Sequence, residues 1–147
     1  MSDTAEIVVS IAEDFAPCRA LRIAVFVEEQ GYPLDEEFDD LDAEAVHLLA
    51  TRGGVPVGTA RMIRVGDTVK FGRICVASPG RGSGLGAAMV RAGLAHFEHV
   101  EGVRRAYLSA QTHAIVFYEK LGFTAYGDEY MDGAVPHIDM ERAFGPG

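Results

Sequence analysis

A glycine-rich turn, Arg81-Gly82-Ser83-Gly84-Leu85-Gly86, joins a strand pattern to a long helix pattern and constrains the chain more than any other segment. Glycines at alternate positions leave backbone N–H groups unshielded by side chains. A helix that starts there aims the positive end of its dipole at the same place. Both features favour a phosphate or pyrophosphate, and Arg81 adds a forked, permanently charged donor. The plainer alternative is a tight strand-to-helix turn with no ligand.

The flanking segments decide between phosphate ligands. Strand patterns are expected over 6–12, 46–51, 55–65 and 68–77, with hairpin turns at Gly53-Gly54 and Gly66-Asp67. A first helix, capped by Asp14, is expected to run to about Glu29, with Phe15, Cys18, Leu21 and Val25 near helical spacing. After the turn come a helix over 83–100, a strand over 104–110, a helix over 112–121 ended by Gly122, and a hairpin over 123–131 and 135–144. Hairpins in the middle and helices between later strands predict an α+β fold with a mixed sheet. In the fourth strand Val69 and Phe71 are apolar at odd positions, then Ile74 and Val76 at even ones. Strands alternate strictly, so the parity change predicts an inserted residue, a β-bulge, near Gly72-Arg73.

The turn also fits the dinucleotide pattern G-x-G-x-x-[GA], which needs a first-strand βα context and an acidic residue about 20 positions on to hold the ribose. The corresponding segment, Ala106-Tyr107-Leu108-Ser109-Ala110, has no acid, and hairpin-linked strands precede the turn. A nicotinamide enzyme is disfavoured. No Gly-Lys-Ser/Thr closes the turn, so a kinase-type P-loop is absent.

Charge and composition exclude further classes. The 147 residues carry a formal charge of −9, which argues against binding a nucleic-acid backbone. No apolar run approaches the roughly 18 residues of a membrane span, and residues 1–6 lack a basic signal-peptide start; a cytoplasmic protein of one domain over 1–147 is expected. Cys18 and Cys75 lie in apolar stretches and read as reduced, buried thiols. No metal site is expected. Asp40-x-Asp42-x-Glu44 lacks the glycine and closing glutamate of a calcium loop, and His96 and His99 lack a zinc pattern. The acidic stretch from Asp35 to Glu44 reads as a solvated loop, with a cationic acceptor as one thing it would face.

Two segments together resemble the GCN5-related N-acetyltransferase (GNAT) superfamily. Arg81, Gly84 and Gly86 match its Q/R-x-x-G-x-G/A pyrophosphate loop, and residues 114–123, AIVFYEKLGF, look like its A-x-x-x-Y-E-K-x-G-F helix. Val25-Phe26-Val27 with Glu29-Gln30, Leu108-Ser109-Ala110-Gln111, and Gly133 with Pro136-His137-Ile138 resemble the ElaA-like subgroup. The resemblance implies a twisted, mostly antiparallel sheet flanked by helices and splayed between strands 4 and 5. It implies acetyl-CoA as co-substrate, with an amine on a small molecule or peptide as acceptor. It also implies that Ile74, Cys75 and Val76 meet the pantetheine arm and that the Val76 N–H polarises the thioester. Arg81, Gly82, Ser83, Gly84, Leu85 and Gly86 would hold the pyrophosphate. Gln111 stands where many members have Asn on the pantetheine. A homodimer paired through sheet edges is compatible with the resemblance.

Direct amine acylation asks for positioning and proton management. Tyr118, on one helix face with Ile115 and Leu121, suits protonation of the leaving thiolate because its ordinary pKa lies near that of a thiol. The bland alternative is a core tyrosine. Glu28, Glu29, His47, Glu129, His137 or a water chain are open alternatives for the base, and Glu29, Gln30, His47 and His137 are candidate acceptor-site residues. Cys75 has no sequence-adjacent base, which disfavours an acyl-cysteine route. A non-catalytic acyl-CoA sensor is the competing function; it would need the glycine turn but not Tyr118.

Overall fold

The computed structural model describes residues 6–77 and 84–144. Its elements are β1 (Ile7–Ile11), α1 (Ala16–Arg22), a π-helical continuation (Ile23–Glu29), α2 (Leu34–Glu37), a 3₁₀ turn (Asp40–Ala43), β2 (Val46–Arg52), β3 (Val55–Val65) and β4 (Thr68–Val76). Then follow α3 (Leu85–Glu98), β5 (Arg105–Gln111), a second 3₁₀ turn (Thr112–Ala114), α4 (Ile115–Glu119), β6 (Thr124–Asp132) and β7 (Val135–Ala143). The strands make one mixed α+β sheet in the order β1-β2-β3-β4-β5-β7-β6. Every pairing is antiparallel except β4 with β5.

Local chemistry accounts for most boundaries. Ala16 N–H donates to the Asp14 carboxylate at 3.0 Å, which starts α1. Gly53 and Gly54, at φ 58° and 84°, supply the left-handed pair that a tight β2–β3 turn requires. The first helix does not stay α-helical to Glu29. It widens into the π-helical segment at Ile23, and Gln30 N–H reaches the Val25 carbonyl at 3.0 Å.

One sheet face carries the main core. Leu48, Ala60, Met62, Val69 and Phe71 pack there with Met89, Val90 and Phe97 of α3. The helix lies close to the sheet at Gly93, where a Cβ would sit 2.6 Å from Met62 Sδ and from a Phe71 ring carbon. On the opposite face Leu21 and Val25 cover Cys75 in a smaller cluster.

The parity change in β4 is a bulge. Thr59 pairs with Cys75 and Arg61 with Gly72, so Arg73 and Ile74 together face the single residue Ala60. Val69 and Phe71 before the bulge, and Ile74 and Val76 after it, therefore all join the main core. Arg73 takes φ 50° and is the sole non-glycine with positive φ among the described residues.

The acidic stretch is solvated only in part: Asp35, Asp39, Asp40 and Glu44 are exposed, but Glu37 and Asp42 are drawn inward. Glu37 is 4% exposed, and its carboxylate accepts from Arg22 Nε at 2.7 Å. Asp42 accepts from Arg22 at 2.7 Å and from Arg61 at 3.1 Å, and Asp39 accepts from Arg61 at 2.8 Å. Arg22 itself is 1% exposed. Charges this deep are tolerable only when paired and hydrogen-bonded. Their partners come from α1, β3 and β4, so the stretch folds back over the sheet.

Candidate active site

The sheet opens next to the bulge. β4 and β5 pair only over Thr68–Lys70 and Arg105–Tyr107. Ile74, Cys75 and Val76 on β4, and Ser109 and Gln111 on β5, lie beyond the last shared rung. A gap between two parallel strands presents main-chain groups that an extended ligand can meet.

The ionic network holds one side of this gap. Arg73, the left-handed bulge residue, places its Nε 3.2 Å from both the Glu37 carboxylate and the Glu37 carbonyl. Arg22 donates to that same carbonyl at 2.7 Å. The end of α2 is thus tied to the bulge. Burial alone would raise the Asp42 carboxyl, but hydrogen bonds from Arg22, the Asp39 N–H and Arg61 outweigh it and hold the pKa below the usual range. The network sits against Cys75, whose thiol burial and, secondarily, the Glu37 charge push up to about 12. A thiol so placed is a poor nucleophile.

On the main-core face, α3 begins at Gly84, which has φ 75° and no side chain to cap the first N–H groups. Leu85 is buried, while a Cβ on Gly86 would meet only the Phe117 ring, at 3.6 Å. Among the described residues no side chain caps the first turn of this fourteen-residue helix, an arrangement that suits an anion. Arg81, Gly82 and Ser83 lie outside the described residues. Tyr118 stands on α4, half-buried against the core, with the Phe117 ring 5.0 Å and the Phe123 ring 6.0 Å away. Burial pushes its phenol pKa up, so the hydroxyl stays protonated and able to donate.

The opposite face of β5, β7 and β6 carries the remaining polar groups. Gln111 is in register with His137 and Ser109 with Asp139. His137 is 7% exposed, and its Nδ1 lies 2.9 Å from the Val135 carbonyl. A carbonyl only accepts, so Nδ1 carries a proton; Nε2 makes no hydrogen bond among the described residues. Tyr130 stacks on that ring at 6.3 Å. Gln111 bonds through its side-chain oxygen to His113.

Gln111 and His137 thus lie together at the end of β5, while Tyr118 stands on α4 against the main core. His47 is used elsewhere: Nε2 donates to the Asp42 carbonyl at 2.9 Å, and its ring packs 4.6 Å from Phe15. Glu29 and Gln30 are exposed at the end of the π-helical segment, which packs through Val25 and Phe26 beside Cys75 and Ala77 at the open end of β4. No cluster of metal-ligating side chains occurs among the described residues. Tyr107, Ser109, Tyr130 and Asp139 form a hydrogen-bonded group that motif reading passed over. Alternation along β5 and β7 puts Tyr107, Ser109 and Asp139 on one face, but it takes the β5–β7 register and the β6–β7 hairpin that carries Tyr130 to bring all four together.

Known proteins share this fold. The family model for the acetyltransferase (GNAT) domain matches residues 13–144. A Bacillus subtilis protein named as an acetyltransferase is 41% identical over 133 residues, covering 88% of this chain and 90% of that protein. ElaA of Escherichia coli is 33% identical over 126 residues, covering 83% and 82%. Its crystal structure superposes with a TM-score of 0.77 over 94% of this chain and 99% of that one. An acyl-CoA N-acyltransferase from Pseudomonas aeruginosa is 30% identical, with a TM-score of 0.82 over 95% and 100%.

Proposed function

The chain belongs to the GNAT acetyltransferase family, and on that premise we propose that it transfers an acetyl group from acetyl-CoA to a primary amine of a small molecule or peptide by direct attack. The observation that carries this reading is the gap between β4 and β5, with a helix start at Gly84 on one face and His137 on the other. An acyl-CoA fits these residues. The first turn of α3 offers unshielded N–H groups to a pyrophosphate, and the named Pseudomonas aeruginosa relative is an acyl-CoA enzyme.

In this reading the donor supplies an activated acyl thioester. The main chain of Ile74, Cys75 and Val76 lines its pantetheine arm on β4, and Gln111 faces it from β5. Gly84, Leu85 and Gly86 hold the pyrophosphate, together with Arg81, Gly82 and Ser83. The amine nitrogen attacks the carbonyl carbon, the carbon–sulfur bond breaks, and the Tyr118 hydroxyl gives its proton to the leaving sulfur. His137 Nε2 takes the proton that the new amide nitrogen sheds. Acid and base then stand on opposite faces of the sheet, with the reacting atoms in the gap. Glu29 and Gln30 border the acceptor's entry.

The test is thiol release from acetyl-CoA measured against a panel of amines, aminoglycosides and peptides. Saturable acetyl-CoA binding with no acceptor-dependent thiol release would refute the transfer reading and leave a sensor.

A further inference from the structure

Several acidic groups near the gap are matched to cations among the described residues. Glu37, Asp39 and Asp42 pair with Arg22, Arg61 and Arg73 on the β4 side. On the β7 side Glu141 pairs with Arg105 at 2.6 Å. Asp139, between Glu141 and His137 on the same face, has no cation within ion-pair distance among the described residues. Its Oδ1 accepts from Tyr107 at 2.6 Å and from Tyr130 at 2.7 Å. No described residue donates to Oδ2. Lys70, the nearby cation, stands over the Tyr107 ring at 5.8 Å.

The surroundings of Asp139 suit an ammonium ion. Two phenols fix the carboxylate's orientation and leave an oxygen to accept. Burial, and then the hydrogen bond to Asp139, push the Tyr107 phenol pKa up, so that hydroxyl remains a donor. Aromatic walls also favour cations and aliphatic stems. Tyr130 is 38% exposed, so the group can be reached from solvent. Asp139 lies opposite Ser109 and two residues along β7 from His137, about 7 Å at strand rise.

We infer that Asp139, flanked by Tyr107 and Tyr130, recognises a second positive charge on the acceptor, so that the substrate is an amine bearing another cationic group about 7 Å from the reacting nitrogen. This rests on the transfer reading above. The nitrogen that attacks must be neutral and sits by His137, while the distal nitrogen stays an ammonium and donates to Asp139.

Cadaverine and n-pentylamine share a carbon chain and differ in that distal charge, so steady-state thiol release with each isolates it. The expected result is kcat/KM at least tenfold higher for cadaverine. Asp139→Asn keeps the shape and the phenol contacts; it lowers cadaverine's kcat/KM about tenfold through KM and leaves n-pentylamine within about twofold. Glu141→Gln, one face position further, preserves the preference. Equal turnover of the two amines, or an Asp139→Asn variant that loses both in proportion, overturns the inference while the transfer reading stands. Absence of thiol release with every amine overturns both.

Discussion

Replacing Arg22 with Met tests whether the buried ionic network is structural. The guanidinium is 1% exposed and serves Glu37 and Asp42, whose side chains are 5% and 11% exposed. Methionine fills similar length but leaves two carboxylates deprived of their main partner in a site shielded from water. Removing one member of a buried pair costs about 3–5 kcal/mol, far above the roughly 0–1 kcal/mol of a surface pair. At about 2–4 °C per kcal/mol for a domain of this size, the melting temperature should fall by roughly 6–20 °C. The pH dependence adds a sign. The folded pKa of Asp42 is depressed, so its contribution is fully present above the unfolded value and is lost as pH falls through the folded one. In Arg22→Met the principal lowering contact is gone and Asp42 takes up its proton at higher pH. The stability gap between the two proteins should therefore be widest near neutrality and shrink in acid. Thermal unfolding followed by circular dichroism across this range measures both effects. A variant within about 0.5 kcal/mol of wild type, or a gap that does not change with pH, would mean that the network does not hold the fold together.

Tyr118→Phe should lower kcat by about 100-fold or more, the usual contribution of a positioned acid, and leave acetyl-CoA affinity by calorimetry within about twofold. Gly93→Ala should cost about 1–3 kcal/mol in urea unfolding, because the added Cβ meets Met62 and Phe71 at 2.6 Å. Burial raises the Cys18 pKa as well as that of Cys75. Neither thiol should react with iodoacetamide at neutral pH in the native protein, and both should react once it is unfolded, as read by mass spectrometry.

Features written in short-range pattern were legible before the fold was known. β3 spans Val55–Val65 as its flanking glycine turns imply, and the parity of Val69, Phe71, Ile74 and Val76 revealed the bulge. What escaped pattern depends on partners far along the chain. Glu37 and Asp42 look like solvated acids until Arg22, Arg61 and Arg73 are folded over them. The widening after Arg22 has no local marker, since Ile23–Glu29 is as compatible with α as with π geometry. For the candidate site, Tyr118 and Gly84 sit in continuous motifs. Asp139 acquires its two phenols through two different pairings, Tyr107 from β5 and Tyr130 across the β6–β7 hairpin, and nothing adjacent to it in sequence hints at either.

The three rungs between β4 and β5 bear on the order in which the molecule is built. Strands β2 to β4 form a meander joined by short turns, and β6 with β7 form a hairpin. Such local pairings close small loops and form early, whereas the β4–β5 seam must wait for the chain to cross through α3. The cleft would then form later than the two hairpin-built halves it joins, and three rungs are a narrow seam to hold it closed. Damage anywhere in either half would reach catalysis before it unfolds the chain, since opening at a seam costs less than global unfolding.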